Sequence, residues 1–138
     1  MNAKWKTLGW FAIALLGAMT LTGVALARET PASVPQDEIW IAKKSWWGGG
    51  DTSLSGGAAV ELTGMTMVMI PAGTTVRWTN LDNNHDVHIE DEAESVVAES
   101  PNLMMGEAWS YRFDQPGMYH FHCDRHEKRM EHVMIHVM

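Results

Sequence analysis

Residues 117–130 read Gly117-Met118-Tyr119-His120-Phe121-His122-Cys123-Asp124-Arg125-His126-Glu127-Lys128-Arg129-Met130. Tyr119, Phe121 and Cys123 alternate with Met118, His120 and His122, the two-residue period of a half-buried strand. The aromatic set with Cys123 faces a core, so His120 and His122 face the other way. Past Cys123 the alternation stops and the chain must turn. His126 and Met130 hang from that turn. A thiol, an imidazole and a thioether are thereby brought to one end of a sheet.

The same period recurs outward from this stretch. Gln115-Pro116-Gly117 is a turn, and residues 108–113 place Trp109, Tyr111 and Phe113 on one face. Over residues 74–80, Val76 and Trp78 face one way and Arg77 and Thr79 the other. Residues 38–42, 59–63, 65–70, 85–90 and 132–138 read as further strands; the phase of the last is open, Val133, Ile135 and Val137 making one inward set and Met134 and His136 the other. Pro71-Ala72-Gly73 and Leu81-Asp82-Asn83-Asn84 supply turn chemistry. Residues 43–57 hold five glycines and read as a loop, from which Trp46 and Trp47 fold back as a lid on the core. The acidic run 90–94 reads as a solvated loop or one helical turn, and the alternating Met65, Met67 and Met69 as core filler. No amphipathic helix is evident. Seven or eight short strands with Gly/Pro turns predict an all-β sandwich or small barrel.

Cys123 is the only cysteine, so no disulfide can form within the chain. An unpaired thiol in an oxidising compartment is a liability unless it is buried or ligated. His126 lies three residues away, and His85, in Asn84-His85-Asp86-Val87-His88, comes from a different strand. Two imidazoles and a thiolate with a weak axial thioether suit copper, because a trigonal arrangement serves both Cu(I) and Cu(II). Glu127, Glu131 and His132 compete with Met130 for the axial position, and a carboxylate there would make a harder site. Directly after His85, the Asp86 backbone N–H is able to donate to the Cys123 sulfur. His88, His120, His122, His132 and His136 read as surface or hydrogen-bonded residues, together able to hold at most a second, adventitious metal.

Val76-Arg77-Trp78-Thr79-Asn80 followed by His85-Asp86-Val87-His88 resembles the first ligand region of the cupredoxins, amicyanin and pseudoazurin above all. Phe113-x-x-x-Gly117-x-Tyr119-x-Phe121-His122-Cys123-x-x-His126 and then Met130 resembles their second. The resemblance covers residues 58–138. It implies a Greek-key β-sandwich holding one type 1 (blue) copper per chain, with ligands His85, Cys123, His126 and Met130. It also implies one-electron shuttling between redox proteins, such as a c-type cytochrome or an oxidoreductase. Three residues separate His126 from Met130, where relatives commonly have two or four, and Glu131-His132 replaces a glycine.

Lys4 and Lys6 precede an apolar stretch over 8–22, and Ala25-Leu26-Ala27 is a small-x-small cleavage signal. The expected organisation is a signal peptide over 1–27, a flexible leader over 28–37 and a cupredoxin-like domain over 38–138. The protein is then periplasmic, or anchored if the signal stays uncleaved. The formal net charge of −7 becomes more negative by two without the segment bearing Lys4 and Lys6. Such acidity excludes nucleic acid as the default partner and favours steering toward a basic protein patch. A monomer with no membrane contact after cleavage is expected. No nucleophile–base pair or phosphate loop is present, so the chain is read as no enzyme. Periplasmic copper delivery or tolerance, or a small copper enzyme with a non-Met axial site, are the alternatives.

Overall fold

The inward phase of each strand carries β-branched and aromatic residues, and the structure buries that phase. The computed structural model describes residues 30–126, 130 and 132–138. The signal segment expected over 1–27 lies outside them. Eleven strands form: β1 (Ser33–Val34), β2 (Glu38–Ala42), β3 (Ser45–Gly49), β4 (Gly57–Leu62), β5 (Met67–Ile70), β6 (Thr74–Asn80), β7 (His88–Asp91), β8 (Val96–Glu99), β9 (Ala108–Phe113), β10 (Gly117–His122) and β11 (Val133–Val137). One 3₁₀ turn, Asp124–His126, is the sole helical element among the described residues.

Two sheets face each other. One has the order β1-β4-β3-β2-β6-β9 and the other β5-β11-β10-β7-β8. The chain changes sheets between β4 and β5, β5 and β6, β6 and β7, β8 and β9, and β9 and β10, the alternation of a Greek-key sandwich. Pairing is antiparallel except for β2 with β6 and β5 with β11. Val76 and Trp78 of β6 meet Phe121 of β10 and Val133, Ile135 and Val137 of β11 in one core. Phe121 is its hub: its ring stands edge-on to Trp46 at 4.9 Å and to Trp78 at 5.5 Å.

Three of the eleven strands, β1, β3 and β8, fall outside the segments expected. β3 lies where a glycine loop was expected: Trp46 is buried in the core and Trp47 donates its indole N–H to the Ala42 carbonyl at 3.0 Å. Lys43 and Lys44 make the preceding turn with positive φ of 51° and 57°. The glycines serve packing rather than flexibility. A Cβ on Gly49 would stand 2.0 Å from the Val34 carbonyl oxygen. β1 falls inside the leader expected over 28–37, pairing with β4 and burying Val34. β8 escaped notice because Val96 and Val97 are exposed on an edge. Gly49→Ala is expected to cost about 1–3 kcal/mol by overpacking against backbone, read as a lower urea midpoint.

The methionines of residues 65–69 are not core filler. Val68 and Ile70 take the inward phase of β5, opposite Ile135 and Val137 of β11. Met67 and Met69 therefore point outward, and Met65 is 98% exposed.

Candidate metal centre

Two loops at one end of the sandwich meet over the core. The first follows β6. Asn80, fully buried, donates from Nδ2 to the carbonyls of Asn83 (2.6 Å) and Leu103 (2.8 Å), and its Oδ1 accepts the Asp82 N–H at 2.9 Å. One amide thus pins the whole turn, satisfying itself in the process. His85 leaves this turn in an isolated bridge with Leu103, just ahead of β7 and not within a strand as expected. The second loop follows β10. The chain closes the 3₁₀ turn with the His126 N–H on the Cys123 carbonyl at 3.3 Å, and the Met130 N–H donates to the His126 carbonyl at 2.8 Å.

His85, Cys123 and His126 converge. Nδ1 of His85 is 3.7 Å from Cys123 Sγ, and Nδ1 of His126 is 3.8 Å from it. The three donor atoms all lie within 4.8 Å of one another. Taking zinc bond lengths as a guide, about 2.3 Å to sulfur and about 2.0 Å to nitrogen, a trigonal ion would set sulfur and nitrogen about 3.7 Å apart. The donors therefore fit a metal ion in both chemistry and spacing. His85 and Cys123 are fully buried, whereas His126 reaches the surface. Met130 is buried in the same apolar cluster as Cys123. His132 lies on the other face of the sheet, stacked on His122 at 4.3 Å. Glu127 and Glu131 lie outside the described residues.

The surroundings orient the donors. His85 Nε2 is 3.2 Å from Asp82 Oδ2, which also accepts the Lys44 N–H at 2.9 Å. With Nε2–H donated to a carboxylate, Nδ1 is left with its lone pair toward Cys123, the way carboxylates fix ligating imidazoles. Burial holds the His85 imidazole below its ordinary pKa, against the pull of Asp82, so the ring is neutral and free to ligate. Burial opposes ionisation of Asp82, but hydrogen bonds from Asn83, His85 and Lys44 outweigh it and keep the carboxyl below its usual range. Burial pushes the Cys123 thiol up to about 11. Without a cation it stays protonated at neutral pH, so metal uptake releases a proton. The Asp86 N–H points at Cys123 Sγ from 3.5 Å, as the sequence suggested.

Sequence reading named each of these donors but missed Asn80, Asp82 and Leu103. Turn chemistry at residues 81–84 was the available signal: an Asp three residues before a ligand-type His is within reach of its ring.

The sequence matches the copper binding proteins of the plastocyanin/azurin family over residues 62–137. No curated protein matches the chain. Among solved structures, a Cu-containing nitrite reductase (NirK) from Thermus scotoductus SA-01 aligns with 21% identity and a TM-score of 0.51, covering 76% of this chain. The chain spans only 22% of that reductase. A purple cupredoxin from Nitrosopumilus maritimus aligns with 27% identity and a TM-score of 0.49, over 73% of this chain and 98% of that one. A reduced amicyanin variant aligns with 19% identity and a TM-score of 0.50, over 81% and 88%. These likenesses concern the fold. The family match takes in more than half of the sequence and every converging donor, and by it this chain belongs to the copper-binding proteins of the plastocyanin/azurin family.

Proposed function

We propose that the protein is an exported type 1 copper protein that carries single electrons between redox partners, with His85, Cys123, His126 and Met130 as ligands. The observation that carries this reading is the pair of imidazole nitrogens at 3.7 and 3.8 Å from a buried, sole thiol. Copper held there supplies one electron at a time as it cycles between Cu(I) and Cu(II). The chain's part is to hold the donors still. Asn80 and Asp82 brace His85, the aromatic core backs Cys123, and the 3₁₀ turn fixes His126. Met130, buried in the same core cluster as Cys123, is the axial donor in this reading. A partner such as a c-type cytochrome or an oxidoreductase would approach the rim at His126, the least buried donor. Export to the periplasm, a signal peptide over 1–27 and a monomeric state belong to the same proposal. The protein acts as a carrier, without catalysis of its own. Reversible voltammetry unaffected by azide tests this. A potential or spectrum that shifts with the anion would instead mean an open coordination position.

Asp82→Ala should weaken copper binding by roughly 10–100-fold, the usual cost of losing the partner of a ligating imidazole. Competition with a chelator reads it. Affinity equal to the parent's would show that Asp82 does not orient His85.

A second reading, copper delivery or tolerance, is favoured by the exposed thioethers. Met67 and Met69 share the outer sheet face with the half-buried Met134 and His136, their register partners on β11. Soft thioethers suit Cu(I). Tighter binding of Cu(I) than of Cu(II), with ready surrender to a chelator, would favour delivery over electron transfer.

A further inference from the structure

Behind Cys123, on the outer face of its sheet, a second set of donors converges. Asp86, His88 and Asp124 each bring one ligand atom, and these lie within 4.8 Å of one another. His88 Nε2 is 3.2 Å from Asp86 Oδ2 and 3.3 Å from Asp124 Oδ2. The fold dictates this meeting. His88 opens β7 directly opposite His122 of β10, while Asp86 follows His85 and Asp124 follows Cys123. The Asp124 N–H donates to Asp86 Oδ1 at 3.0 Å, locking the two acidic loops together. His88 Nδ1 is in turn 3.5 Å from Glu99 Oε2.

His122 supplies an independent indication. Its residue is 4% exposed, and its Nε2 sits 3.2 Å from Glu90 Oε1. Its Nδ1 is buried with no hydrogen-bond partner among the described residues. That nitrogen nevertheless stands 3.3 Å from Asp124 Oδ1, out of line for a hydrogen bond. With Nε2–H donated to Glu90, Nδ1 presents a lone pair to a carboxylate. Two electron-rich atoms so placed, one of them buried and unsatisfied, are unfavourable on their own. A cation bound to the Asp124 carboxylate removes the conflict.

The spacing fits. Donors at about 2.0–2.1 Å around a tetrahedral ion are separated by about 3.3 Å, close to the 3.2 and 3.3 Å found around His88 Nε2. Two carboxylates balance a divalent charge. An imidazole nitrogen among three donors disfavours calcium and magnesium and suits a borderline first-row ion. We propose that Asp86, His88 and Asp124 form a second metal site for a divalent first-row ion, Zn(II) or Cu(II), beside the carboxylate that His122 Nδ1 faces. It shares no side chain with the set at Cys123 and goes beyond the electron-carrier reading. It is joined to that set through the backbone at both Asp86 and Asp124.

Zn(II) titrated calorimetrically into copper-loaded protein tests this. One further equivalent should bind with the visible band retained. His88→Gln and Asp124→Asn should each weaken it by about 100-fold, the upper end of what loss of even a ligand's supporting partner does. Glu61→Gln, on the opposite sheet, should leave it unchanged. The visible band confirms that each variant is folded. No saturable zinc, zinc that displaces the copper, or binding equal to the parent's in both variants would overturn the proposal. The same titration in a Cys123→Ser background separates its failure from failure of the first site.

Discussion

Cys123→Ser protein loaded with Cu(II) will show no intense visible absorption. The colour of a type 1 centre comes from charge transfer between a thiolate and copper, and the chain has no other thiol to provide it. The serine hydroxyl is nearly the same size, so the fold should survive. Burying a hydroxyl where a thiol stood costs about 1–3 kcal/mol at most, within the reserve of a domain of this size. His85 and His126 would still bind Cu(II), weakly and with only faint ligand-field absorption. The loss is therefore one of spectrum and affinity rather than of structure, and circular dichroism separates the two. Retained intense absorption would mean that the band does not arise from a thiolate–copper bond.

Phe121→Ala will have the largest effect on stability. Phe121 is fully buried and bridges the two sheets, edge-on to Trp46 of β3 and Trp78 of β6. Truncating a buried phenylalanine costs about 3–5 kcal/mol through lost transfer energy and the cavity left behind. Edge-to-face pairs of this kind add about 0.5–1.5 kcal/mol each. For a domain near a hundred residues, a loss of about 4 kcal/mol lowers the Tm by roughly 15–30 °C. Phe121 shares the inward phase of β10 with Cys123 two residues on, so the site should loosen along with the core. Differential scanning calorimetry of the metal-free protein reads the first effect, free of the stabilisation that bound copper adds. A shift of only a few degrees would mean that the sandwich does not pivot on this ring.

How much of this was legible in the sequence follows from what each signal encodes. Phase is encoded locally, so the inward sets of β6 and β10 were readable residue by residue, while that of β11 stood open between two phases. The meeting of His85, Cys123 and His126 was readable too, because their side-chain chemistry has few other uses in combination. The glycines of β3 misled because Gly-rich composition signals loops, whereas here Gly49 is required by backbone approach to Val34. Met65, Met67 and Met69 are apolar by type, but the β-branched Val68 and Ile70 claim the inward phase of their strand. The bracing of His85 by Asn80 and Asp82, and the gathering of Asp86, His88 and Asp124, depend on where distant loops meet. No local pattern records that.

Copper K-edge X-ray absorption on the loaded protein addresses the central claim most directly, since it counts and types the atoms around the metal. With a single equivalent bound, we expect one short copper–sulfur scatterer and two imidazole nitrogens, the sulfur disappearing in Cys123→Ser. A first shell of nitrogen and oxygen alone would contradict a copper held by His85, Cys123 and His126.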